Sequence, residues 1–415
     1  MFQGRVDRFN HQFFFGKPGA AHWEKPLGAE IYVDRMKLNL AALHVRQNGP
    51  QYLKSLSLGD VRSKLTKFMT ENYYTICHDN CFSNFSESYN ERVTDDVRDE
   101  FTSALAESHI FKPNLYWSVF PLLAVNAYSD FIGNNFCIVR LGSLAGDTFF
   151  TQRDEAYIAN EYFPPIKDFS GRKQKPSAWL CAKSPDVKAS QKMARAVLGG
   201  LSLSVMPEYR YMFSGRTMFG GACTFRDSAT YNFTDNNLMP PLMHDLELTS
   251  EDNWLAIIDD KISSSQKIDG RHLKSLEYFY RAWSLEPPER FPILCMTLDA
   301  VFGDANQATQ AVIDAVRMTL GNHISEERIR LLLKLRASVI HGGAPDVYDS
   351  SKYIRYIRDY EADPITDLER LTQECLRTVI FDNNMREQAN PNAALIAKRK
   401  AEVTYKIPQE ANYIV

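Results

Sequence analysis

Apolar positions along the chain change their period near residue 246. Before it, short β-branched runs alternate with isolated helical stretches; after it, apolar residues recur every three or four positions to about residue 386. The runs GAEIYVD and NNFCIVRLGS are β-branched segments bounded by Gly and Asn, which predicts strands. SLGDVRSKLTKFMTENYYTI places Leu65, Phe68 and Met69 at helical spacing. SPDVKASQKMARAVLGGLSL opens on Ser-Pro-Asp, a helix start, and meets Gly199-Gly200, where the helix is expected to end. EYRYMFSGRTMFGGACTFRD alternates and breaks at Ser-Gly, the pattern of a hairpin. IKDFSGRKQKPSAW, with Arg172, Lys173 and Lys175, reads as an exposed basic loop.

Beyond residue 246 almost every segment reads as helix. LTSEDNWLAIIDDKI sets Thr249 and Ser250 ahead of acidic residues, a helix start. DGRHLKSLEYFYRAWSL is one helix, stopped by Pro287-Pro288, with the run Tyr278–Tyr280 as aromatic core. ERFPILCMTLDAVFG is a second, with Leu294, Leu298 and Val301 on one side, and ANQATQAVIDAVRMTLG is a third, ending at Gly321. RIRLLLKLRASVIHGG, Arg328 to Gly343, is a fourth, with Ser325 as N-cap and Glu326 and Glu327 in the first turn. KYIRYIRDYEADPITDLERLTQECLRTVIFDN supplies the last, broken near Pro364. Short connections between such helices imply an antiparallel bundle. The expected class is α+β: a mixed α/β N-terminal domain (1–245), an all-α helical bundle (246–386) and a C-terminal tail (387–415), in which PNAALIAKRKAEVTYK reads as a short charged helix.

Composition narrows the function more than the fold. A chain of 415 residues exceeds one ordinary domain, and 44% hydrophobic with 24% charged residues suits a soluble protein. The net charge of -3 gives no global basic field, so a polyanion site has to be a local patch. Seven scattered cysteines fit a reducing compartment. The N-terminal stretch lacks a signal-peptide core, and no apolar run approaches the ~18 residues of a membrane helix. A cytoplasmic protein without membrane contact is expected. P-loop, dinucleotide, HExxH and EF-hand patterns are absent from the sequence. The glycine pairs of VLGGLSL and MFGGACTF lack a following Lys-Ser/Thr, so they read as turns or close packing points rather than phosphate cradles. CHDNC groups Cys77, His78 and Cys81, but zinc takes four ligands and no second pair lies nearby. Neither metal nor cofactor is expected.

One residue breaks the pattern of the fourth helix. On a wheel of about 100° per residue with Ile329 at zero, Leu332, Leu333 and Ile340 fall within about 60°. Arg336 falls about 20° from zero, inside the apolar stripe. A guanidinium cannot discharge itself, so it needs a buried partner or a wet groove. His341 stands in the last turn, ahead of Gly342-Gly343, a natural C-cap. Two readings are open. Arg336 is a structural arginine paired with a carboxylate such as Asp299, and His341 faces the helix dipole. Alternatively, Arg336 and His341 line one cleft, with Arg328, Arg330 and Lys334 adding positive charge to the same helix.

The segment RASVIH, at a glycine-capped helix end within a helical region, resembles the R-x4-6-H signature of the HEPN family. RFPILCMTLDAVFGD, then a helix, then RLLLKLRASVIHGG, resembles its Apea-like branch. The resemblance covers residues 246–386 and not the first 245. Ala337 stands where HEPN nucleases often have a polar residue, and Asp299 where related chains often have Glu. The resemblance implies a HEPN-type bundle that forms a homodimer, with two motifs facing one groove. It implies metal-independent RNA cleavage by 2′-OH attack, leaving a 2′,3′-cyclic phosphate and a 5′-OH. His341 would be the general acid or base, Arg336 would hold the scissile phosphate, and Asp299 would orient one of them. Arg328, Arg330 and Lys334 would bind RNA. A large domain ahead of a toxin-like bundle implies sensing or inhibition, as in a regulated toxin or antiphage effector with a phage or antitoxin protein partner. The alternatives are a non-catalytic HEPN module that binds RNA or protein, and a toxin neutralised by a separate antitoxin.

Overall fold

The computed structural model of the chain describes residues 35–72, 94–143, 176–205 and 246–388, apart from a few positions within them, with Lys398 and short strands at 22–24, 31–33, 222–225 and 229–232. It divides into two units, residues 1–116 with 184–189, and residues 117–183 with 190–415. In the first unit β1 (His22–Glu24) pairs antiparallel with β2 (Ile31–Val33). Three helices follow: α1 (Arg35–Asn48), α2 (Leu58–Glu71) and α3 (Asp95–Glu107). Ser57 opens α2 with a capping box: its hydroxyl accepts from the Asp60 N–H, and the Asp60 carboxylate accepts from the Ser57 N–H. Leu65, Phe68 and Met69 are buried as their spacing predicts, against Leu38 and Val45 of α1 and Phe101 and Leu105 of α3. The sequence patterns anticipate α2 but neither α1 nor α3. Thr94 followed by Asp95 and Asp96 is the start signal that marks α3.

The second unit contains a six-stranded sheet. Its strands are β3 (Tyr116–Leu122), β5 (Phe131–Ile132), β6 (Phe136–Arg140), β7 (Ala178–Ser184), β8 (Ala222–Phe225) and β9 (Ala229–Asn232), in the order β5-β6-β7-β3-β8-β9. A separate parallel pair joins β4 (Val125–Ala127) to β10 (Leu246–Leu248). Successive side chains alternate between faces. Phe120, Leu122, Phe136, Ile138 and Leu180 share the core of the helices, while Val119, Val139, Cys137, Cys181 and Cys223 fill the other face. Burial of both faces explains why NNFCIVRLGS shows a continuous apolar run instead of alternation. Cys137 and Cys181 oppose each other as free thiols, and burial raises the Cys181 pKa. The hairpin expected about Ser214-Gly215 lies outside the described residues; the end of that segment forms β8, which pairs antiparallel with β9 beyond it. Residues 206–221, the basic loop with Arg172, Lys173 and Lys175, and most of the tail lie outside the described residues.

Eight helices of the described chain complete the unit: α4 (Val187–Leu203), α5 (Trp254–Ser263), α6 (Lys267–Trp283), α7 (Pro287–Phe302), α8 (Ala308–Leu320), α9 (Glu326–Ile340), α10 (Ser351–Tyr360) and α11 (Pro364–Phe381). The class is mixed α+β with a helical C-terminal region, and no strand occurs among the described residues of 249–387. The change of apolar period near residue 246 suggests a boundary there. The apolar face of the sheet belongs to one buried cluster with residues of α4 to α11, and the compact units divide at 116.

Helix ends follow local chemistry with three exceptions. Gly321, at φ 93°, ends α8, Ser325 caps α9 by accepting the Arg328 N–H at 3.2 Å, and α10 breaks from α11 just before Pro364. Pro287 and Pro288, however, begin α7 rather than stop α6, because a helix start has no N–H to lose. Thr249 donates its N–H to Asp252 at 2.7 Å in a turn of its own, and α5 starts only at Trp254. The third exception is α4, which runs through Gly199-Gly200 to Leu203. A Cβ on Gly199 would lie 2.2 Å from the Leu276 carbonyl oxygen of α6, and one on Gly200 2.7 Å from the Trp254 ring of α5. The pair is a helix crossing, in which the missing side chains let backbones approach. The carbonyls at the end of α4 are satisfied from α11: Arg377 donates to Leu203 O at 2.6 Å, and Gln373 to Val205 O at 2.6 Å.

Two stability outcomes follow. Gly199→Ala drives a methyl into backbone and should lower stability by about 1–3 kcal/mol or more. Gly270→Ala, in open space on α6, should raise it by about 0.4–1 kcal/mol; urea denaturation of both variants reads the opposite signs. His272 is buried with neither ring nitrogen partnered among the described residues. Burial, with Lys261 next, lowers its pKa to about 4. The unfolded chain takes up this proton below pH ~6.5 and the folded chain only near 4, so stability should fall as pH drops through that window. The decline should be smaller in His272→Leu, measured by denaturation at pH 7 and pH 5.

Candidate functional site

Arg336 leaves α9 on the side that faces α7. Its Nη1 donates to Asp299 Oδ2 at 2.5 Å, with the side chains 19% and 33% exposed. The structure therefore brings together the arginine and the acidic residue that the sequence set 37 positions apart. The other oxygen, Asp299 Oδ1, is buried and has no hydrogen-bond partner among the described residues. Asp299 lies in the last turn of α7, and the end of that helix is held from α6: Arg271 donates to Ala300 O at 2.8 Å and to Gly303 O at 2.7 Å. One turn earlier Cys295 is buried, and burial pushes its thiol up while the Arg336 charge opposes it. His341 and Gly342 lie outside the described residues.

The first three turns of α9 are buried over a wider arc than one stripe. Leu331 and Leu335 are buried as well as Ile329, Leu332 and Leu333, because α9 packs against α7, α8 and α10. Ile340, assigned to the stripe by its angle, is 52% exposed at the helix end. This packing sorts the cations. Arg328 turns into the bundle instead of toward a ligand. It pairs with Asp367, whose side chain is fully buried, donates to Tyr356 Oη at 2.9 Å and stacks over Tyr360 at 4.8 Å. Tyr356 donates to Asp367 at 2.7 Å, and burial followed by the Asp367 charge raises its hydroxyl pKa well above the ordinary range. Arg330 pairs with Glu326 and donates to Gln310 at 2.9 Å, tying α9 to α8. Lys334 is exposed and has no ion-pair partner among the described residues.

Lys334 opens on a pocket of about 540 Å³ at the C-terminal end of α9. Lys334, Ala337 and Ser338 line it from α9, Ser351 and Lys352 from α10, with Asp349 between. Ser350 caps α10 by accepting the Lys352 N–H and shares a hydrogen bond with Ser338 at 2.9 Å. Of its lining residues the sequence singled out Lys334 alone for binding; Asp349, Ser350, Ser351 and Lys352 meet α9 only through the way α10 folds back, and their one local sign is Ser350, a plain N-cap. Among the described residues no group of three or more His, Cys, Asp or Glu is placed to hold a metal ion, and no helix is long and apolar enough to cross a membrane. Cys77, His78 and Cys81 lie outside the described residues. Comparison with known proteins yields no matching family model and no significant match to a curated protein or solved structure.

The two kinds of cation on α9 should separate in a stability measurement. Arg328→Ala strands the buried Asp367 carboxylate and should cost about 3–5 kcal/mol. Lys334→Ala should stay within about 0.5 kcal/mol of the parent. Equal midpoints in chemical denaturation would contradict this assignment.

Proposed function

We propose that the chain is a HEPN-type, metal-independent endoribonuclease, a cytoplasmic toxin or antiphage effector regulated by its N-terminal part. The observation that carries the reading is the partly exposed Arg336–Asp299 pair, five residues from His341 on a helix whose other arginines are consumed by the bundle. Arg336 would grip the scissile phosphate through its planar fork and stabilise charge in the transition state. His341 carries an imidazole, whose unperturbed pKa near 6.5 suits proton transfer to or from the ribose 2′-OH or the leaving 5′-oxygen. Asp299 would orient these groups, and its second oxygen leaves one acceptor for another donor. One R-x4-H pair offers few groups for a phosphodiester, so the reading includes a homodimer that joins two motifs in one groove.

A second reading, a non-catalytic module that binds RNA or a protein, draws on the same ion pair. Asp299 occupies one arm of Arg336 and gives it a structural purpose. Charge-conserving substitution separates the two. Arg336→Lys keeps the charge and loses the two-pronged grip; like His341→Ala, it should reduce RNA cleavage by about 10²–10⁴-fold or more while the fold persists. Cleavage should continue in EDTA, and light scattering should give a dimer. Activity that survives His341→Ala, vanishes with EDTA, or comes from a strict monomer would refute this mechanism.

A further inference from the structure

The pocket beside α9 is not accounted for by the Arg336–Asp299 pair. Its lining side chains carry two ammonium groups, serine hydroxyls and one carboxylate, and Ala337 is the only wholly apolar side chain among them. Its volume lies within the range of about 300–1,000 Å³ usual for small-ligand sites. Arg328, Arg330 and Arg336 of the same helix each have a carboxylate partner. Lys334 and Lys352 have none among the described residues, so the unneutralised charge near the end of α9 gathers at this pocket. The start of α10 is already capped by Ser350, which leaves recognition to side chains rather than to the helix end. Ser351 is exposed and lines the pocket with a hydroxyl. Ala337 follows Arg336 in the chain and lines the pocket with a single methyl, where a longer side chain would take up part of its space.

We propose that this pocket is a phosphodiester subsite, seating a backbone phosphate of the RNA strand between Lys334 and Lys352. It deepens the ribonuclease reading and rests on it. Ala337 follows Arg336 in the chain but lies about 100° round α9 from it, so the subsite stands on another side of the helix from the residue assigned to the scissile phosphate, and a strand engaging both would pass around the helix. Asp349 subtracts one charge from the two lysines, which leaves the subsite suited to one phosphate.

The test is binding of a fluorescent 2′-O-methyl RNA, which lacks the nucleophile and cannot be cut, by the full chain. The Lys334→Ala/Lys352→Ala double variant should bind about tenfold more weakly near 0.1 M salt, with a log–log salt slope shallower by about 0.7 for each phosphate no longer neutralised. Ala337→Leu keeps every charge and should also weaken binding, with the slope unchanged. Asp349→Asn should tighten it. Circular dichroism of each variant checks the fold. A double variant with parental affinity and slope would overturn the proposal, as would a wild-type chain that binds no RNA. Wild type that binds uridine monophosphate as tightly as the strand would reassign the pocket to free nucleotides and overturn the strand subsite. Cleavage of the matching 2′-OH RNA reads the catalytic assignment separately: lysine-dependent binding without cleavage upholds the subsite and removes the ribonuclease reading, and cleavage with lysine-independent binding does the reverse.

Discussion

Backbone contact between α4 and α6 at Gly199 is the constraint on which the second unit depends. The two helices meet where a methyl group would overlap a carbonyl, so α4 lies deep enough to fill the space between sheet and bundle. The apolar face of the sheet and the interior of the helices then form one continuous core. The end of α4 is fixed a second time by Arg377 and Gln373, whose side chains take the last carbonyls without a glycine cap. A further tie runs from the sheet to α5: Asp259 accepts the N–H groups of Asn134 and Asn135 at 2.7 and 2.9 Å. These ties place α5 and α6, and α6 in turn holds the end of α7, where Asp299 stands.

The same packing decides which charges on α9 remain available. An arginine enclosed by neighbouring helices is stable only with a carboxylate, and Arg328 has Asp367 together with two tyrosine rings. Arg330 is neutralised by Glu326, one turn away. Arg336 is intermediate: it is paired, but with a residue one-third exposed and at a helix end. A partner of that kind stays open to solvent, whereas Asp367 is enclosed. The positive charge that survives this sorting lies at Lys334, on a different side of α9 from Arg336, and at Lys352 across from it on α10.

Periodicity and turn chemistry alone determined the helical stretch from α5 to α11, the start of α9 at Ser325, the stop of α8 at Gly321, and the strands around Ile31–Val33 and Phe136–Arg140. These depend on residues within one or two turns of each other, and local sequence carries them. The wheel also put Arg336 against an apolar surface, with Asp299 as a named partner, because a buried guanidinium requires a carboxylate whatever the fold. Tertiary structure decided the rest. Gly199-Gly200 marks a crossing instead of an end because Leu276 lies against it, a contact between residues far apart in sequence. Arg328 proved internal because α10 and α11 fold over it, which a single helix cannot reveal. The division at 116 and the pocket at Lys334 and Lys352 arise from segments brought together by the fold, where each local pattern is compatible with several partners and only packing selects one.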